Sequence, residues 1–196
     1  MNNIFAMIEI GWPFRNAIIV AGVALLAFVF FHAAFASMTP KKRTVARRGW
    51  IAGLVYFVFA ALVVALTATS FGSILVNGIM ERWALLAHIS IAGAFVFVML
   101  VFAVVWNPNY VLQASEGSSV LAEAKTKRWW LSTWSLWAVL FASLVVAGSM
   151  LFQMLPVLDT EAMLEVTELH RYSGLALAAA LAVHFYSMLV QRIGWR

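Results

Sequence analysis

Apolar residues run along this chain in five long stretches free of Asp, Glu, Lys and Arg. They lie between Arg15 and Lys41, Arg48 and Glu81, Arg82 and Glu116, Arg128 and Asp159, and Arg171 and Arg192. A helix needs about 20 such residues to cross the hydrocarbon core of a bilayer, and each run is long enough. The pattern predicts an all-α, five-helix transmembrane bundle in a single domain over residues 1–196. The helices are expected at 16–38, 50–72, 83–106, 130–154 and 169–191. Breakers fall between them: Thr39-Pro40, Asn107-Pro108-Asn109, Glu116-Gly117-Ser118-Ser119 and Pro156. Trp12, Trp50, Trp83, Trp106, Trp129, Trp130, Trp134 and Trp195 cluster at the proposed ends. Indole favours the headgroup level, where its ring is half-buried and its N–H is wet. The first run is longer than the apolar core of a signal peptide and follows the acidic Glu9, so it is expected to be a mature helix.

Composition excludes a water-soluble fold. Hydrophobic residues make up 64% of the 196 and charged residues 11%, against about 25% charged in soluble domains. No Cys is present, which rules out disulfides, thiolate metal sites, iron–sulfur clusters and haem attached through thioethers. Redox or metal chemistry here falls to His, Met, Tyr or carboxylates, or to a non-covalent cofactor.

The net charge of +5 carries topology rather than nucleic-acid affinity. Lys41, Lys42, Arg43, Arg47, Arg48, Lys125, Lys127, Arg128, Arg192 and Arg196 share one side of a five-span chain. The other side has Arg15, Arg82 and Arg171, together with Glu9, Glu81, Asp159, Glu161, Glu165 and Glu168. By the positive-inside rule the N-terminus lies outside and the C-terminus in the cytoplasm, as in a bacterial inner-membrane protein. The three glutamates before the last span suit a solvated helix start better than a docking patch.

Against this uncharged interior the four histidines stand out: His32, His88, His170 and His184. His170 and His184 are 14 residues apart, which brings both onto one helix face about 40° from alignment and about 21 Å apart along the axis. With the topology above, His88 pairs by depth with His170 near the outer side, and His32 with His184 near the inner side. Two neutral imidazoles on facing helices at one depth suit axial ligation of a haem iron without adding charge to the membrane. Gly174, four residues after His170, leaves room for a flat macrocycle, and Ala180, Ala84 and Ala36 stand at the same spacing from the other three histidines. Arg82 and Arg171 are candidate partners for the propionates of an outer haem, and Lys42, Arg43 and Arg192 for those of an inner one.

The stretch Leu169-His170-Arg171-Tyr172-Ser173-Gly174, continued by Ala182-Val183-His184-Phe185-Tyr186, resembles the last core helix of the cytochrome b subunits of membrane-bound formate dehydrogenases and NiFe hydrogenases. That helix carries two His separated by thirteen residues, while two earlier helices supply one each; His32 and His88 correspond to those. The family core has four helices, so one here is extra. The resemblance implies two b haems and electron transfer between an oxidoreductase partner, expected on the outer face, and the quinone pool. It also implies a quinone near the inner haem, where Trp106, Asn109, Tyr186 and Gln191 are available. The competing expectation is a small transporter or proton pathway with His relays. The absence of a carboxylate or of a mid-span proline in the apolar runs weighs against it.

Overall fold

The computed structural model describes residues 2–37, 49–80, 82–106 and 130–193. The Lys41–Arg48 cluster, the 107–129 segment with Asn109, and Arg196 lie outside them. Helix α1 covers Asn2–Ser37. Helix α2 (Trp50–Thr67) passes through a π-helical turn (Ala68–Gly72) into α3 (Ser73–Asn77), so that these three form one span. Helices α4 (Arg82–Trp106), α5 (Trp130–Met154) and α6 (Thr160–Ile193) follow. Five of these segments are long and apolar enough to cross a membrane: Pro13–Phe35, Trp50–Asn77, Arg82–Trp106, Leu131–Met154 and Thr160–Ile193. The outward faces agree with that setting. Leu26, Phe30, Phe97 and Phe141 are each at least 70% exposed, an apolar surface that water would not tolerate and lipid would cover.

The helices pack because each carries one apolar stripe at helical spacing. Phe95, Met99, Phe102 and Trp106 recur every three to four residues along α4. They meet Phe59 and Val63 of α2, Leu136, Val139, Ala142 and Val146 of α5, and Leu177 and Leu181 of α6. The closest helix pairs are α5 with α6 and α2 with α4. Helix α1 is the most peripheral, and it leans on α6 and α3. Phe14 anchors it, edge-on to Phe71 and Tyr172 at 5.8 and 5.3 Å.

Three local features depart from the sequence expectation. The last helix begins at Thr160, not near 169, because Asp159 caps it: its Oδ1 accepts the Ala162 N–H at 2.8 Å, and Glu161 sits in the positive first turn. The glutamates therefore belong to a helix start, and His170 lies ten residues inside α6 rather than at its end. The second span runs on to Asn77 and closes on Gly78, whose φ of 80° permits the turn. Trp106 is not a wet interfacial residue: it is buried, and its Nε1 donates to the Ala52 carbonyl at 2.8 Å. Trp50, Trp83 and Trp134 do face outward.

A candidate paired-histidine centre

All four histidines meet a hydroxyl group through the same ring nitrogen. Nδ1 of His88 lies 3.1 Å from Thr69 Oγ1, Nδ1 of His170 lies 3.1 Å from Ser149 Oγ, and Nδ1 of His184 lies 3.0 Å from Ser135 Oγ. Nδ1 of His32 lies 2.8 Å from the Tyr186 hydroxyl. With Nδ1 so engaged, Nε2 is the nitrogen each ring would present to a metal.

Helices α5 and α6 build two of these pairs with one register. Ser135 and Ser149 are 14 residues apart on α5, as His184 and His170 are on α6. The helices run antiparallel, so the lower serine meets the higher histidine and the higher serine the lower one. The shared face that spacing predicted for His170 and His184 is thus the face turned toward α5.

At one level, His88 of α4 and His170 of α6 lie within electrostatic reach of one another. The residue that holds His88 comes from the π-helical turn. Widening the helix there loosens backbone hydrogen bonds, and four side chains of the Thr67-Ala68-Thr69-Ser70-Phe71-Gly72-Ser73 stretch turn back to repair them. Thr67 donates to Val63 O, Thr69 to Ala65 O, Ser70 to Leu66 O and Ser73 to Thr69 O, at 2.8–2.9 Å. Such turns recur at functional sites. Gly174 has nothing within 4 Å of the point where a Cβ would stand, so open space lies one turn from His170.

At the other level, His32 reaches α6 through Tyr186, two residues beyond His184, and the rings of His32 and Tyr186 stand perpendicular at 5.5 Å. His184 is buried, with Tyr56 and Trp106 rings at 5.9 and 6.2 Å. The hydroxyl of Tyr56 and Nε2 of Gln191 are buried without a hydrogen-bond partner among the described residues.

The proposed propionate partners are placed differently from one another. Arg171 donates to Glu168 Oε1 at 2.6 Å and its guanidinium lies 6.0 Å from the Phe14 ring. A ligand carboxylate would have to share it with Glu168. Arg82 is exposed at the first residue of α4, with φ of 49°. Arg192 is exposed near the end of α6. Lys42 and Arg43 lie outside the described residues.

Sequence reasoning found the histidines and missed three of the hydroxyls, Thr69, Ser135 and Ser149. The signal was present for two of them, as a serine pair with the histidine spacing on the neighbouring antiparallel helix. Among the described residues no three His, Asp or Glu side chains converge as a conventional metal site requires. Compared with known protein families, curated proteins and solved structures, the chain matches none of them.

Proposed function

We propose that this chain is a di-haem b-type membrane cytochrome that carries electrons across the bilayer between an oxidoreductase partner and the quinone pool. One observation carries the reading: four membrane-embedded histidines at two levels, each with Nδ1 engaged by a hydroxyl. Haem, when bound, supplies reversible one-electron chemistry. The protein's part is to offer two neutral ligands per level, to fix their rings, and to keep water and competing charge away.

The donor set fits haem most directly at the outer level. There His88 and His170 lie within electrostatic reach of one another, and Gly174 leaves open space one turn from His170. At the inner level His184 is enclosed by Tyr56, Trp106 and Ser135. A ligand on its iron-facing edge requires those aromatic rings to stand aside, and the buried hydroxyl of Tyr56 is then a ready hydrogen-bond donor.

Pairing has a direct test. In a redox titration of the purified protein, His88→Ala and His170→Ala should each delete the same haem component, and His32→Ala the other. Deletion of different components by the first two changes would break the outer pair.

The orientation follows from charge. Ten of the thirteen basic residues fall on the C-terminal side, so that side is cytoplasmic in a bacterial inner membrane. A reporter active only outside the cytoplasm should stay silent at the C-terminus; activity there would reverse the assignment. We assign the redox partner to the outer face. The histidine relay of a proton pathway is less well supported. The hydroxyls beside His88 and His170 donate to helix carbonyls at 2.9 Å, which ends a proton chain instead of extending it.

A further inference from the structure

We infer that Thr69 and Ser149 are positioning residues that hold His88 and His170 as the Nδ1–H tautomer, so that Nε2 carries the lone pair. The tautomer follows from where each hydroxyl proton goes. A hydroxyl has one hydrogen to give. Ser149 gives its own to Val146 O at 2.9 Å, so toward His170 it can only accept. The proton in that contact then belongs to Nδ1. Thr69 is committed in the same way, to Ala65 O at 2.9 Å with Leu66 O at 3.1 Å. For Ser149 and Thr69 the acceptor carbonyl lies three or four residues back in the same helix, and a backbone carbonyl can never donate, so the direction of the chain is fixed from the carbonyl outward to the ring. Ser135 reaches Ser132 O only at 3.3 Å, beyond the usual O–H···O length and longer than its 3.0 Å contact with His184, so its hydrogen is not committed away from that ring.

His32 differs. Tyr186 reaches the Val29 carbonyl only at 3.5 Å, a length at which a hydrogen bond is weak, so the phenol proton is not committed away from the ring. The Thr69 and Ser149 contacts set a tautomer, and the Ser135 and Tyr186 contacts do not. This separates His88 and His170 from His32 and His184.

The consequence for ligation rests on the haem reading; the tautomer itself does not. An Nδ1–H that donates to an oxygen makes Nε2 a stronger electron donor, which favours the oxidised iron. A ring held at Nδ1 also cannot rotate about its Cβ–Cγ bond without losing that bond.

The test uses the full-length protein prepared without haem, in lipid bilayers, with histidine rings labelled with nitrogen-15 and at mildly alkaline pH where imidazole is neutral. Solid-state magnetic resonance should show His170 protonated at Nδ1. Ser149→Ala should abolish that preference, and Ser149→Thr, which keeps a hydroxyl, should retain it. His170 protonated at Nε2 in the unaltered haem-free protein, or a tautomer there indifferent to Ser149→Ala, would overturn the inference; the haem-free sample is needed because iron on Nε2 would by itself leave the proton on Nδ1. A parallel redox titration reads the haem side. Ser149→Ala should raise the midpoint of the component that His170→Ala deletes, leave the other in place, and be reversed by Ser149→Thr. Protein that takes up no haem when haem is supplied would end the haem reading, while the nitrogen spectrum would still decide the tautomer. A haem-loaded protein whose outer midpoint is unmoved by Ser149→Ala would end the positioning role.

Discussion

Replacing both His170 and His184 with alanine is expected to remove all haem absorbance from the purified protein. In the proposed reading each residue supplies one of two axial ligands at its own level, and both stand on α6. The double change therefore strikes both proposed centres from a single helix. His170→Ala alone should remove the outer component and His184→Ala the inner one. Misfolding is not the expected cause of the loss. Alanine is the best helix former, and α6 gains nothing unfavourable from it. The serines left behind still donate to Val146 O and Ser132 O, so no new orphaned hydroxyl is buried. Circular dichroism should show the helical content unchanged. Haem retained in full by the folded double variant would show that these residues ligate nothing.

The second large effect is on stability. Phe102 is fully buried and stacks on Phe59, with centroids 4.1 Å apart and planes 8° from parallel. It also touches Trp106 at 5.7 Å. This stack joins α2 to α4 in the centre of the core. Phe-to-Ala changes in cores cost about 3–5 kcal/mol. In a bilayer the transfer part shrinks, because separated helices still lie in an apolar medium and packing carries the association. Phe102→Ala should thus fall near the lower end, about 3 kcal/mol. Phe102→Leu, which refills most of the volume, should cost less than about 1.5 kcal/mol. Unfolding titrations in detergent measure both. Equal stability of Phe102→Ala and the parent would mean that this stack does not hold α2 and α4 together.

The spans were legible because charge is almost absent from them, and the two ends of each run are marked by Lys, Arg, Asp or Glu. Where a helix extends into polar sequence that rule fails. Asp159 and Glu161 look like a loop by hydropathy, yet they are the cap and first turn of α6. Trp106 misled for the opposite reason. Its place at a helix end fits an interfacial indole, but the Ala52 carbonyl gives its N–H a partner inside the bundle. The π-helical turn left only an indirect trace, a run of Ser and Thr able to bond backward to carbonyls. Histidines were conspicuous as rare ionisable groups in an apolar setting. Serines were not, since a hydroxyl can satisfy itself within its own helix anywhere in a membrane. Only the tertiary register of α5 against α6 shows that Ser135 and Ser149 face the histidines.

The central claim is that two pairs of histidines hold two haems. The most direct measurement is a reduced-minus-oxidised absorption spectrum of the full-length protein, with the haem-to-protein ratio determined on the same sample. Bands of b type with a ratio near two, as expected for two bis-histidine sites sharing four histidines, are the predicted result. A pure, folded protein prepared with haem available that shows no Soret band would contradict it.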